Sequence, residues 1–213
     1  MNIAGIKHKP LLIILLSLML TACFSWGGGE DEDETPHFYV VDVDRGSVAT
    51  EFARDRVLLI KPVRVVPHFE ATPLVFRVGE NEYQSQTPHQ FFSAPEDMFT
   101  NQLRRWMLKT GLFSQVVTDD SIEADYVLES AVTALYGEQR AAYSPQAVIE
   151  MQFFMSASDA PQNMLFQTGL RTDVDIEKTT PSNVVMGWKQ GLWELMTTLE
   201  QDFSDYFAKL DAR

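Results

Sequence analysis

The stretch that decides the fold reads V-I-E-M-Q-F-F-M-S and covers residues 148–156. Apolar residues occupy every second position from Ile149 to Met155, and Glu150 and Gln152 stand between the first of them. This alternation predicts a strand of an antiparallel sheet with one buried face, because successive side chains of a strand point to opposite sides. A sheet with one apolar face must be covered, and we expect helices to cover it.

The main cover is predicted near the C-terminal end of the chain. Thr180 and Pro181 are typical of a helix start, and apolar residues then recur every three or four positions as far as Leu210. This spacing predicts a helix about 40 Å long with one apolar face. Gly187 and Gly191 lie one turn apart, so they would let this helix approach either the sheet or a partner closely.

A second helix is predicted in the middle of the chain. Residues Ser93 to Glu96 read as a capping box, and Pro95 would stand in the first turn, where its missing N–H is harmless. Gly111 is typical of a left-handed residue after a helix end, so we expect the helix to end near Thr110.

The remaining apolar segments are predicted strands. They are residues 37–43, 56–66, 74–78, 82–86, 113–117, 125–136 and 164–176. A short turn that contains Gly79 separates residues 74–78 from 82–86 and predicts a hairpin. The predicted fold is therefore α+β, a mostly antiparallel sheet covered by two main helices, in one domain that spans residues 37–213.

The N-terminus predicts export and lipid attachment. Two lysines precede an apolar run from Leu11 to Leu20, which is about half the length that spans a bilayer. The run ends in L-T-A-C, residues 20–23, which resembles the lipobox of bacterial lipoproteins. The resemblance implies a cleaved signal peptide over residues 1–22 and a diacylglycerol group on Cys23, which palmitate would label.

The residues after Cys23 predict a tether and a location. Residues 23–36 contain three consecutive glycines and the acidic block Glu30–Glu34, and they would hold the domain about 20 Å from the anchor. Lipoproteins of well-studied enterobacteria stay in the inner membrane when aspartate follows the cysteine. Phe24 stands at that position here, so we expect the outer membrane, with the domain in the periplasm.

Composition excludes several classes of function. The formal net charge is −13, so the chain would repel nucleic acid, which binds basic surfaces. A single cysteine allows neither an intrachain disulfide nor a cysteine cluster for zinc. His37, His68 and His89 lack metal-ligand spacing, and no nucleophile elbow, phosphate loop or dinucleotide fingerprint occurs. We expect no metal, no cofactor, no nucleic-acid partner and no enzymatic activity.

Two pairs of carboxylates come nearest to a catalytic arrangement. Asp119 and Asp120 lie in a predicted turn, and Asp173 and Asp175 alternate along a predicted strand. Paired carboxylates serve in general acid/base catalysis, but these positions are typical of solvated surfaces. We therefore interpret both pairs as surface residues.

Seven short motifs follow the lipobox in a defined order. They are F-Y-V-V-D at 38–42, I-K-P-V-R-V-V-P at 60–67, F-R at 76–77, E-Y at 82–83, F-F-S-A-P-E at 91–96, L-F at 112–113 and A-D-Y-V-L at 124–128. Their order and spacing resemble the ABC-type transport auxiliary lipoproteins, a family that includes the paraquat-inducible protein C type. The chain departs from the family at Phe92, where Trp is frequent, and at residues 71–73, where an acidic-Arg-Pro turn is frequent.

The resemblance implies a docking or tethering component of a lipid transport system. Its partners would be a mammalian-cell-entry (MCE) domain protein and the associated membrane permease. The alternative is an outer-membrane lipoprotein that regulates cell-wall synthesis or assists secretion-complex assembly. A periplasmic hydrolase is disfavoured because no nucleophile has a matching base. The sequence leaves a homo-oligomer open.

Phe69 and Phe92 are the candidate partner-binding residues. Both lie in predicted loops beside turn-forming prolines, and aromatic side chains tend to dominate the binding energy of interfaces. The competing interpretation is that each ring packs beneath its own loop.

Overall fold

The computed structural model describes residues 35–49 and 55–212. The predicted signal peptide, Cys23 and nearly all of the predicted tether lie outside these residues. The elements are β1 (His37–Tyr39), β2 (Val57–Ile60), β3 (Arg64–Val65), β4 (Pro73–Arg77), β5 (Tyr83–Phe91), α1 (Pro95–Met107), β6 (Gln115–Val117), β7 (Tyr126–Glu138), β8 (Gln146–Ala157), β9 (Ala160–Asp175) and α2 (Pro181–Asp211). Neither α1 nor α2 is long and apolar enough to cross a bilayer.

Strand β7 is the centre of the sheet. Strand β8 pairs with it along one edge in antiparallel fashion, and β9 pairs with β8 in the same way. Along the other edge of β7, strands β2, β3 and β4 follow one another, and each runs parallel to it. Strand β6 extends the sheet from β2, and β5 and β1 extend it from β4.

The prediction of an α+β fold with two helices is confirmed, but the sheet is mixed. Five of the described strand pairings are parallel and three are antiparallel. The alternation in residues 148–156 correctly predicts one covered face of β8. The alternation does not show whether the strands beyond β7 run parallel or antiparallel, because a strand buries the same face in either direction.

Helix α2 packs directly on β8 and β9. A Cβ atom on Gly187 would overlap that of Ala147, and one on Gly191 would overlap the Thr172 hydroxyl. The two glycines therefore serve close packing within the domain. Trp188, between them, is fully buried and donates a hydrogen bond from Nε1 to the carbonyl of Val148 at 3.0 Å.

The start of α1 differs from the predicted capping box. Its N-cap is Ala94 rather than Ser93, and no side chain caps it. Pro95 does occupy the first turn, as predicted, and its fixed φ suits that position.

The end of α1 also comes earlier than predicted, at Met107. The N–H groups of Lys109 and Thr110 donate three residues back, to Trp106 and Met107, which tightens the last turn. Gly111 adopts the predicted left-handed conformation, with a φ of 74°.

The long predicted strand over residues 56–66 is divided in two. Strand β2 ends at Ile60 and β3 begins at Arg64, with Pro62 between them. Proline lacks the N–H that donates hydrogen bonds within a sheet, so the strand is interrupted at Pro62. The predicted hairpin is confirmed as β4 and β5.

Candidate docking site

Phe69, the first candidate anchor, is buried. Its side chain is 5% exposed, and its ring lies 5.9 Å from that of Tyr83 and 6.2 Å from that of Tyr136. The N–H of Phe69 donates to the carbonyl of Val66 at 2.9 Å, which closes the turn after β3. Phe69 therefore packs beneath its own loop, and little of its side chain is accessible to a partner.

Phe92, the second candidate, is 72% exposed. Its ring packs edge-to-face on that of Phe38 with 5.7 Å between the centroids, and Phe38 is itself 55% exposed. The N–H of Phe92 donates to the carbonyl of Tyr39 at 2.9 Å, which holds the two rings side by side. Phe38 was not predicted as a candidate, because it begins the uniformly apolar run F-Y-V-V, which does not reveal which side chains face outward.

Two histidines lie on the same strands. The rings of His37 and His89 stack at 4.8 Å, and the Tyr39 hydroxyl lies 3.0 Å from Nδ1 of His89. Burial, together with the neighbouring His37, lowers the pKa of His89.

Residues Val41–Arg45, which we call the strap, join β1 to both helices. The Gln102 amide of α1 pairs with the strap as a neighbouring strand would: its oxygen accepts from the N–H of Val43 at 3.3 Å, and its NH2 donates to the carbonyl of the same residue. On α2, Glu200 accepts two hydrogen bonds from Arg45, each 2.8 Å long.

Ion pairs to α1 and to the turn that follows it reinforce the strap. Arg105 donates to Asp42 at 2.5 Å, and Lys109 pairs with Asp44. The hydrogen bond from Lys109 and the bond from the Gly46 N–H lower the pKa of Asp44. The strap thus carries the chain from β1 across to the helices along a defined path.

A groove of about 500 Å³ lies along the outer side of α2. The strap, the end of β9 and the helix itself line it. Met186 and Trp193, two turns apart on α2, both line this groove and are 63% and 47% exposed. Four carboxylates and Lys189 also line the groove, and two of those carboxylates, Asp42 and Asp44, are paired with Arg105 and Lys109.

A smaller groove of about 240 Å³ adjoins the same helix. Arg45, Trp106 and Glu200 line it, and Trp193 lines both grooves. The indole N–H of Trp106 donates to Glu200 at 3.0 Å. Glu200 therefore binds both Arg45 of the strap and Trp106 on the side of this groove. We refer to the two grooves together as the α2 groove. Its walls are held by hydrogen bonds, while Trp193 and Met186 face outward.

The two carboxylate pairs that came nearest to a catalytic arrangement in the sequence have structural partners. The pairs are the Ser121 N–H with Asp119 at 2.9 Å, Lys61 with Asp120 at 2.6 Å, Arg171 with Asp173 at 2.6 Å and Gln146 with Asp175 at 2.9 Å. The bond from the Ser121 backbone holds the pKa of Asp119 below its usual range. Within residues 35–49 and 55–212, no three metal-ligating side chains converge.

Two solved structures share the fold. The protein XCC0632 from Xanthomonas campestris, described as DUF330, superposes with a TM-score of 0.67 at 16% identity, over 84% of this chain and 97% of that one. An uncharacterised protein of known structure superposes with a TM-score of 0.63 at 14% identity, over 79% of this chain and 98% of that one. At these identities the likeness establishes the fold alone. No curated protein is matched by the sequence.

The sequence matches the family of the ABC-type transport auxiliary lipoprotein component over residues 39–199. The match begins within β1 and runs into α2, so it takes in the strap and most of the α2 groove. The motifs that carry the resemblance lie on β1, β2, β3, β4, β5, α1 and β7 and in the segments that join them. The chain therefore belongs to the ABC-type transport auxiliary lipoprotein family.

Proposed function

We propose that this chain is the membrane-anchored auxiliary lipoprotein of an MCE-type intermembrane lipid transport system, in which it docks a partner protein and catalyses no reaction. Membership of the transport auxiliary family supports the general role. The exposed α2 groove is the observation that carries the docking role. The partner would be the MCE-domain protein, which acts with a membrane permease.

The anchor in this proposal is lipid on Cys23. The lipobox ends in the only cysteine of the chain, and thioether formation requires a thiol. Two or three acyl chains hold a protein stably in a bilayer, whereas one gives marginal binding. Phe24 favours the outer membrane, with the folded domain in the periplasm.

The α2 groove has the features of a protein-binding surface. Tryptophan is among the residues that dominate interface binding energy, and methionine adapts its shape to a partner. The inner face of α2 is fixed by Gly187, Trp188 and Gly191, so the helix that carries the outward side chains is held in place before any partner arrives. A preorganised surface loses less conformational entropy on binding.

The docking surface is tested by substitution of Trp193 and Met186. We expect Trp193→Ala combined with Met186→Ala to weaken recovery of the MCE-domain protein at least about tenfold, because truncation of a central aromatic anchor commonly costs about 2 kcal/mol or more. The measurement is quantitative pull-down of the tagged, full-length lipoprotein from detergent extracts of membranes.

Ile122→Ala provides the matched control. Ile122 is apolar and 43% exposed, but it lies in the turn before β7 and lines neither groove. Its truncation should leave recovery unchanged. Equal recovery with the Trp193 and Met186 variant and with the wild type would place docking elsewhere on the domain.

The second candidate function is regulation of cell-wall synthesis or assistance in secretion-complex assembly. A periplasmic domain on a lipid anchor would suit that role equally well. The identity of the recovered protein separates the two: an MCE-domain protein supports lipid transport, whereas a cell-wall synthase or a secretin supports the alternative.

A further inference from the structure

The β1–β5 edge of the sheet carries no carboxylate, lysine or arginine side chain. Residues 35–41 and 83–95 contain no aspartate, glutamate, lysine or arginine, although charged residues make up 22% of the chain. The two segments are adjacent in space because β1 pairs with β5 in parallel register. We call them the neutral edge. Charged residues resume at Asp42, which is paired with Arg105, and at Glu96 in the first turn of α1.

Large apolar side chains project from this edge. Phe38 and Phe92 touch each other and are 55% and 72% exposed, and Val40, two residues along from Phe38, is 53% exposed. Single exposed apolar residues are ordinary, but a contiguous group of them marks a surface that is covered in use. The Trp193 surface on α2 is a separate feature, since no residue of the neutral edge lines either groove.

The position of the neutral edge along the chain identifies what covers it. Phe38 follows Cys23 by 15 residues. A chain of that length reaches at most about 50 Å when fully extended and about 20 Å on average. Because the tether joins the folded domain at this edge, lipid on Cys23 would keep the neutral edge within that reach of the bilayer.

Charge favours the same assignment. The chain is strongly acidic, and anionic headgroups repel carboxylates. The neutral edge is free of that repulsion, and aromatic rings are stabilised where the headgroups meet the acyl chains. The acidic block Glu30–Glu34 lies close by in the sequence, so the favoured surface is one of zwitterionic lipid.

We propose that the neutral edge is a lipid-contacting surface, in which Phe38 and Phe92 enter the headgroup region of the membrane that holds the Cys23 anchor. This inference rests on the proposed lipid anchor. It gives the anchored domain a defined orientation, with β1 and β5 against the lipid and the α2 groove left free for protein.

The test uses the full-length lipidated protein in vesicles of phosphatidylethanolamine and phosphatidylcholine. Cys23 is the only cysteine, and in the proposed anchor its thiol is blocked as a diacylglycerol thioether, so Phe92→Cys or Phe38→Cys would supply a single free thiol for a nitroxide label. We expect the label at either position to be at least about threefold less accessible to a water-soluble nickel chelate, and more accessible to oxygen, than a label at Ile122→Cys. Ile122 is the matched control because it is exposed and apolar but stands among acidic residues.

Three results would overturn the inference. The label at position 92 could be as open to nickel as the label at position 122, in protein whose acylation is verified by mass spectrometry. It could be shielded only after a partner protein is added, which would assign the edge to protein contact. It could be equally shielded in vesicles that contain phosphatidylglycerol, which would contradict the charge argument. Absence of acylation would instead reject the anchor, and mass spectrometry detects that before any label is attached.

Discussion

Trp188→Ala is expected to lower the melting temperature of the domain by about 6 to 20 °C. The side chain is fully buried, its ring lies 5.6 Å from that of Phe91, and its N–H binds the carbonyl of Val148. Truncation leaves a large cavity and removes the hydrogen bond to Val148, and the loss of a fully buried tryptophan costs about 3 to 5 kcal/mol. In a domain of this size each kcal/mol corresponds to about 2 to 4 °C. Thermal unfolding followed by circular dichroism measures the effect.

The matched control is Trp193→Ala on the same helix. Trp193 is 47% exposed, so its loss removes far less buried apolar surface than the loss of Trp188 and should destabilise the domain much less. The pair removes the same side chain from the two faces of α2. If both variants had the same melting temperature, or if Trp193→Ala were the less stable, the assignment of one face of α2 to the core and the other to a partner would be wrong.

Cys23→Ser is expected to abolish lipid attachment. The hydroxyl of serine does not replace the thiol in thioether formation, and neither α1 nor α2 could cross a bilayer in its place. Incorporated palmitate should fall to background, and the protein should leave the membrane pellet or accumulate with its signal peptide uncleaved. Metabolic labelling and membrane fractionation measure the two outcomes.

Phe24→Asp separates attachment from sorting. The variant keeps the cysteine and should be labelled as well as the wild type, but under the enterobacterial rule it should move from the outer to the inner membrane. Full palmitate incorporation by Cys23→Ser would reject the anchor, whereas an unchanged location of Phe24→Asp would reject only the sorting assignment.

Periodicity in the sequence predicted the elements that bury one face. Helix α2 begins after Thr180, whose side chain accepts from the N–H of Asn183, and its apolar stripe is buried as predicted as far as Phe203. Beyond it the prediction is wrong, because Phe207 is buried instead and Leu210 is 38% exposed. The alternation in residues 148–156 likewise predicted β8. These elements are long, and their pattern repeats often enough to fix both the type of element and the buried face.

The path of the strap could not be predicted from local pattern. Residues 37–43 read as one strand, but β1 ends at Tyr39, and Val43 instead pairs with the side chain of Gln102 on α1. A glutamine at a helical position carries no local sign that it will bind a backbone segment 59 residues away. Tertiary contacts of this kind override the preference of short segments.

The candidate site was predicted only in part for the same reason. Phe92 is exposed, but Phe69 is held against Tyr83 and Tyr136, which are remote from it in the sequence. Trp193 was not among the candidate residues, because it lies beside the apolar stripe of α2, and only the structure shows that it is 47% exposed. A stripe fixes which side of a helix is buried, but not how far that side extends around it.

Photo-crosslinking from position 193 tests the docking role most directly. A benzoylphenylalanine residue at that position, in the full-length lipoprotein in living cells, is predicted to form an adduct with an MCE-domain protein, identified by mass spectrometry. The same residue at position 122 should form none. Adducts from position 193 with a cell-wall synthase or a secretin, or adducts that form equally from both positions, would contradict the account.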